Sequence, residues 1–380
     1  MRNGPKMSTI LFVTIDAGGN VPPALAIARE LQARGHRIAF LAHPQQRVVI
    51  ENDGFTFTAF TETRAWDHSK PSSALKTIFD YAHAASSRRM MHDFLATAKE
   101  QDVELAVVDC MLPGIVRAAS TVDLSCAVLF HSFYAFWNGR WAHGPVGRLA
   151  QLRGVNARKA WAGADLELVA SDPVLDPASG AADARRVWTG PAETSAVQRS
   201  RTGGRQRILV SLSTLWLPGQ ADVYRRILAA LAELPVDAIV TTSGQASPED
   251  LDVPPNVSVV GYIDHAEILP TVDLVICHGG HSTTMRAVIS GTPVLVIPMH
   301  PLIDQPIVGA AIQQAGVGLA IGKKTRPAEI GAAVTTLLGT PSYRLAATEA
   351  ARRHLTSGGV SVAADALVAL LASQPAKRGH

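Results

Sequence analysis

Hydrophobic positions fall in short apolar runs, each closed by a glycine or polar turn and followed by a stretch of helical spacing. Thr9 to Ile15 is the first run, and it ends at Asp16-Ala-Gly-Gly-Asn20. Pro22 and Pro23 then open a helix, because proline fits the first turn and Asn20 or its neighbour can cap it. Leu25, Ala28 and Leu31 share one face of that helix, and Arg34-Gly35 ends it with a cation and a C-cap glycine. Further strands are predicted at Arg37 to Ala42, Phe55 to Phe60, Leu105 to Asp109 and Ala127 to Phe130. Two short ones follow at Leu166 to Ala170 and Val187 to Thr189. Alternating strand and helix signals predict a doubly wound α/β domain.

The pattern lapses at Ala192 to Gln206, a Ser/Gly/Arg-rich stretch without periodicity, read as a linker. It then restarts with strands at Ile208 to Leu212, Ala238 to Thr242, Val257 to Val260 and Leu274 to Cys277, and helices at 218–234, 305–315 and 327–338. The expected organisation is an N-terminal domain over 1–191, a linker over 192–206 and a C-terminal domain over 207–380. The last helix is free to pack back on the first domain. Both domains are α/β and Rossmann-like, and an interdomain cleft is the expected place for a two-substrate site. A length of 380 residues independently favours two domains over one core.

Composition removes several function classes. With 47% hydrophobic and 18% charged residues the chain is an ordinary globular protein, and a net charge of +3 carries no dense Lys/Arg run for nucleic acid. The arginines at 199, 201, 205 and 207 read as a solvated linker. Cys110, Cys126 and Cys277 lack metal or disulfide spacing and read as buried thiols. No transmembrane helix and no signal peptide are expected, so the default is a soluble cytoplasmic protein.

The most informative stretch is Asp273 to Gln305. An apolar run stops at His278-Gly279-Gly280, and Ser282, Thr283 and Thr284 open a helix. The glycines let backbone approach a ligand, and the N–H groups and dipole of a helix start favour phosphate. At the carboxyl edge of the first sheet, Asp16, Asp109 and His131 each follow an apolar strand, so all three can face one crevice. Each taken singly also reads as a helix-capping residue. The region Thr61 to Glu100, with Trp66 among its aromatics, and the run His131 to Trp137, with Phe133, Phe136 and Trp137, are either helical core or the wall of an apolar binding site. The P-loop, dinucleotide G-x-G-x-x-G, H-E-x-x-H and G-x-S-x-G patterns are missing.

His278-Gly-Gly-His-Ser-Thr-Thr284 with Asp304-Gln305 one βα unit later resembles the nucleotide-sugar signature of the UDP-glucuronosyltransferase-like glycosyltransferases. These have the GT-B fold, and the bacterial natural-product branch is the nearer likeness. Ser171-Asp-Pro-Val-Leu-Asp176, Thr189-Gly-Pro191, Val210-Ser-Leu-Ser-Thr214 and Val260-Gly-Tyr-Ile-Asp-His265 agree in order. The resemblance implies an inverting, metal-independent transfer of a hexose from a UDP- or dTDP-sugar to a hydrophobic aglycone, with no cofactor beyond the donor. It implies that His278, Gly280, Ser282, Thr283 and Ser213 contact the diphosphate. Tyr262 and Ile263 would hold the nucleobase, and Asp304 and Gln305 the sugar hydroxyls; Asp304 also reads as a helix cap. The N-terminal aromatics would line an acceptor pocket. The expected partners are the nucleotide sugar and a small hydrophobic acceptor, with no nucleic acid, and the chain is expected to act as monomer or homodimer. A donor-binding helper of another transferase and a nucleotide-sugar epimerase are the alternatives.

Two positions depart from the family pattern. Asn20 stands where many relatives have the histidine base, while Asp109 matches its aspartate partner. Arg286 stands where many UDP-sugar users have a ribose-binding glutamate. Asn20 can orient an acceptor but cannot take a proton. An isolated aspartate, with a pKa of about 3.9, is a weak base near neutrality, although Asp16 and Asp109 side by side would raise one of the two. A phenolic acceptor, with a pKa of about 10, eases the demand. The expectation is therefore that Asp109 or Asp16 assists deprotonation of a phenol or an activated aromatic carbon, with His131 as the third candidate: a histidine has the better intrinsic pKa for the task, but this one lies in no motif.

Overall fold

The computed structural model describes residues 7–62, 67, 70–180, 183–193 and 203–373. Trp66 and most of the expected linker (194–202) lie outside these residues. Two compact units result. The first takes its residues from Met1–Trp66, Ser73–Ala192 and Ser357–His380, the second from Asp67–Ser72 and Glu193–Thr356.

In the first unit, β1 (Thr9–Val13), β2 (Arg37–Ala42), β3 (Thr56–Ala59), β4 (Leu105–Asp109), β5 (Ser125–Phe130), β6 (Leu166–Val169) and β7 (Arg186–Trp188) form one sheet. All pairings are parallel, in the order β3-β2-β1-β4-β5-β6-β7. Helices cover both faces, so β1 and β4 are buried along their whole length and read as unbroken apolar runs. The helices are α1 (Val21–Ala33), α2 (Arg47–Asn52), α3 (Ala74–Ser86), α4 (Arg88–Glu100), α5 (Pro113–Ser120), α6 (Pro145–Leu152) and α7 (Ala157–Ala162). The chain reverses direction across the sheet between β1 and β4, and the segments leaving these two strands flank that switch point. Ligands of open parallel sheets bind at such a crevice. Helix α1 stops at Arg34 because Gly35 takes a φ of +91°, which suits glycine.

The second unit holds β8 (Gln206–Ser211), β9 (Val236–Thr241), β10 (Val257–Val260), β11 (Leu274–Cys277), β12 (Val294–Val296) and β13 (Gly318–Ala320). Its helices are α8 (Gln220–Ala232), α9 (His265–Ile268), α10 (His281–Ile289), α11 (Gln305–Gln314), α12 (Pro327–Gly339) and α13 (Pro341–Ser357). The sheet is again parallel, in the order β10-β9-β8-β11-β12-β13, with its switch point between β8 and β11. Ser211 pairs with Cys277, so the chain leaves both strands at the same level.

The bounds of the two units differ from the expected ones, and the last helix packs on the first unit, as its sequence leaves it free to do. The second unit ends at Thr356 instead of His380, because α14 (Val360–Ser373) places Ala363, Ala364 and Leu367 in the core of the first unit. Arg34 fixes it there through Asp365 Oδ1 at 2.5 Å and Ser361 Oγ at 3.1 Å. The linker begins after Ala192, which is buried in that same core. Pro341–Ser373 contains an 18-residue window of mean hydropathy 1.7, long and apolar enough by composition alone to cross a membrane. Here it is two helices broken at Gly358 and Gly359, both at positive φ, and α14 spends its apolar face on α1.

Candidate active site

Asn20 is the N-cap residue of α1, but its side chain caps nothing. It is buried, and Nδ2 donates to the Ile15 carbonyl at 2.8 Å and to Asp109 Oδ2 at 2.7 Å, while Oδ1 accepts from the Ala17 N–H at 3.2 Å. Both amide hydrogens are used within the protein. Asn20 is therefore a brace for Asp109, and its expected roles as helix cap and acceptor contact give way. Asp109, at the end of β4, also accepts from the Met111 N–H at 2.8 Å, and its Oδ2 lies 3.5 Å from His131 Nδ1. Asp109 and His131 are thus brought together across adjacent strands β4 and β5. Asp16 is partly buried, and its backbone N–H meets His43 Nδ1 at 3.4 Å, at the end of β2.

Behind His131 the aromatic residues turn inward. Trp137 meets the imidazole edge-on at 4.9 Å, and Phe136 and Trp141 pack on Trp137 at 4.9 and 5.7 Å. Phe136–Trp141 forms a π-helical turn, a geometry that recurs at functional sites. Phe133 is fully buried, and Phe136 and Trp137 are 4% exposed. Trp137, with Phe136 packed on it, forms a buried support for His131, and all three of these aromatics are buried where an acceptor wall was expected. The Trp137 Nε1–H is buried with no acceptor among the described residues, a donor left over beside the imidazole.

In the second unit the β11–α10 turn is built around its glycines. Gly279 has a φ of +84°, and a Cβ there would lie 2.6 Å from Val296 Cγ1 and 3.0 Å from the Gln305 carbonyl. A Cβ on Gly280 would collide with His278 Nε2. Gly280 is the N-cap of α10, so Ser282 and Thr283 stand in its first turn, partly exposed. Ser213, across the switch point, accepts from the Leu215 N–H at 2.9 Å. Tyr262 is 74% exposed and Ile263 is half-buried. Asp304 is the N-cap of α11 but makes no side-chain cap bond. Gln305 is buried, and its Oε1 accepts from the Met299 and His300 N–H groups at 2.7 and 3.0 Å, so it shapes the loop after β12.

Burial pushes His278 down to about 4, opposed by a hydrogen bond with the Ser211 backbone and reinforced by His265. Burial also takes His265 to about 4, helped by the Arg286 charge and opposed by Asp264. Both rings are neutral at physiological pH, while their ordinary value is 6.5. Below 6.5 the unfolded chain binds these protons more readily than the folded one. Stability is therefore complete above about pH 6.5 and falls toward pH 4, by up to about 1.4 kcal/mol per pH unit for each histidine. Urea unfolding of wild type and His265→Gln between pH 8 and 5 should show a shallower acid loss in the variant. Parallel curves would overturn this.

Lys323, just beyond β13, was not anticipated. Its Nζ donates to the Pro218 carbonyl and lies 3.4 Å from that of Met299, tying the loop after β8 to the loop after β12. Gly219, at a φ of +72°, would put a Cβ 3.3 Å from Lys323 Cε. No local sequence signal marks Lys323, because the strand before it has no strand signature either.

Comparison with known proteins places this geometry. Residues 225–370 match the family described as erythromycin biosynthesis protein CIII-like, C-terminal domain. The NDP-glycosyltransferase YjiC of Bacillus licheniformis is 24% identical over 96% of this chain and 98% of its own length. The chain has the GT-B fold. Two solved structures share the fold of this GT-B chain. The glycotransferase of kitacinnamycin has a TM-score of 0.81 at 21% identity, covering 96% of this chain and 100% of that one. CalG4, the calicheamicin glycosyltransferase, has 0.79 at 20% identity, covering 97% and 99%. Of the diphosphate-binding positions implied by the resemblance, His278, Gly280, Ser282 and Thr283 fall at the β11–α10 turn and the start of α10 and Ser213 just after β8, while Asn20, Asp109 and His131 lie at the first sheet's carboxyl edge.

Proposed function

We propose that this GT-B chain is an inverting glycosyltransferase that moves a hexose from a UDP- or dTDP-sugar to a hydrophobic, phenolic or aromatic natural-product aglycone, by O- or C-attachment. The observation that carries the catalytic part is the Asp109–His131 contact at 3.5 Å. With the Nδ1–H directed to the carboxylate, the Nε2 lone pair is the base, so His131 takes the proton that the family's missing histidine would have taken. The acceptor oxygen or carbon then bonds to the anomeric carbon from the face opposite the diphosphate. The anomeric C–O bond breaks, and its electron pair goes to the leaving phosphate oxygen. The N–H groups at the start of α10, His278 and the Ser282 and Thr283 hydroxyls stabilise that charge, so the reaction needs no metal and no cofactor beyond the donor. Tyr262 and Ile263 would hold the base, and Asp304 the sugar hydroxyls. Gln305 Oε1 is already committed to the loop, which leaves its amide N–H groups for the sugar. The chain would act in the cytoplasm as a monomer or homodimer.

The test is incubation of chelator-treated protein with UDP- and dTDP-sugars and a panel of phenolic aglycones, read by mass spectrometry. Glycoside formation is expected. Donor conversion without acceptor would instead identify an epimerase, and donor binding without turnover a helper subunit.

A further inference from the structure

The proposed catalytic dyad has a third neighbour that the transfer reaction does not use. Cys110 follows Asp109 directly, its side chain is fully buried, and its Sγ lies 3.8 Å from His131 Nδ1. One carboxylate oxygen, one thiol sulfur and one imidazole nitrogen all lie within 4.8 Å of one another. We propose that Asp109, Cys110 and His131 form a binding site for Zn²⁺ or a similar borderline-soft divalent ion, and that the bound ion inhibits transfer.

The donor set has the composition of a three-ligand zinc site with an open fourth position. Bond lengths of about 2.0–2.3 Å at tetrahedral angles separate the ligand atoms by roughly 3.3–3.7 Å. The observed contacts of His131 Nδ1, 3.5 Å to Asp109 Oδ2 and 3.8 Å to Cys110 Sγ, are close to that already. Asp109 and Cys110 need only a small side-chain adjustment to close on the same ion. Binding exchanges one proton for the metal: the S–H bond breaks, the proton goes to solvent, and sulfur gives its electron pair to the ion. Carboxylate and thiolate together then carry two negative charges, which a divalent cation neutralises. Trp161 Nε1 donates to the Cys110 carbonyl at 3.0 Å and holds this backbone in place. Mg²⁺ and Ca²⁺, which take oxygen ligands in larger numbers, do not suit the set.

Occupation would inhibit because the ion binds the nitrogen that faces Asp109. The Nδ1 proton moves to Nε2 so that Nδ1 can give its lone pair to the ion, and Nε2, now carrying a hydrogen, has no lone pair left for the acceptor's proton. This consequence rests on the role assigned to His131, whereas the binding itself does not.

Two readouts keep the parts separate. Protein freed of metal is titrated with Co²⁺. One equivalent should produce visible ligand-field bands of a tetrahedral ion and a thiolate-to-cobalt charge-transfer band in the near ultraviolet, and Zn²⁺ should displace both. Cys110→Ser should lose the charge-transfer band and bind Zn²⁺ at least tenfold more weakly, while Cys126→Ser, which removes another buried thiol, should keep both. In the transfer assay, each variant measured against its own metal-free rate, Zn²⁺ should inhibit wild type at its binding midpoint and Cys110→Ser only at tenfold higher concentration. Mg²⁺ should do neither. A cobalt spectrum unchanged in Cys110→Ser, or binding without one-equivalent stoichiometry, overturns the site. Stoichiometric zinc binding with unimpaired transfer overturns the inhibition and with it the role of His131.

Discussion

Replacing His131 by alanine is expected to lower kcat by about two to four orders of magnitude, the usual contribution of a positioned general base. Nucleoside-diphosphate affinity should stay at the wild-type value, because His131 belongs to the first unit and the proposed donor positions to the second. Asp109→Asn should lower kcat comparably, since an amide at the same place no longer holds the Nδ1–H tautomer. Asp109→Ala should in addition leave the amide of Asn20 and the Met111 N–H without their acceptor, at a cost of about 1–3 kcal/mol in stability. Asp16→Ala should matter less, because the carboxylate in contact with His131 is that of Asp109. Single-turnover rates on an accepted phenol, beside calorimetric titration with UDP and dTDP, decide the matter. Near-wild-type turnover in His131→Ala would return the base to one of the aspartates.

On the donor side the largest effect is expected from Gly279→Ala. The added methyl group meets Val296 and the Gln305 carbonyl within 3.0 Å, and the backbone sits at a φ of +84°. Left-handed backbone costs a non-glycine residue about 1–2 kcal/mol, and forcing a methyl into packed surroundings about 1–3 kcal/mol more. The second unit should unfold at clearly lower urea, and nucleoside-diphosphate affinity should fall at least tenfold. Gly280→Ala is the instructive contrast. Its φ of −62° and ψ of 133° suit any residue, so the fold should be nearly untouched while the displaced His278 ring weakens donor binding. A Gly279→Ala protein with wild-type unfolding and affinity would remove the close-packed turn from the account.

Much of the fold was legible because parallel strands covered on both faces must be continuous apolar runs, and β2, β4, β10 and β11 fall on the residues read from the pattern. β13 was missed: Gly-Leu-Ala has no strand signature, and Gly318 is there because a Cβ would collide with the Val294 carbonyl. The glycine turn at 278–280 was visible because local geometry alone demands it. The acceptor side was harder, because its contacts are not local. Asn20 looks like a cap until Asp109, 89 residues away, takes its amide. The aromatic run after β5 looks like a ligand wall until the π-turn folds it inward. Lys323 acquires meaning only once two distant loops meet at its ammonium group.

The position of α14 also bears on the order in which the protein is made. A chain folding as it leaves the ribosome has every strand of the first sheet by Trp188 but lacks the helix that covers part of it. Leu25 and Ala28 share a core with Ala363, Ala364 and Leu367, which are synthesised more than 300 residues later. The second unit, begun later, has the last residue of its main core at Leu337. The later unit can therefore finish first, while the earlier one carries an open apolar face through most of translation, a window for chaperone binding or aggregation.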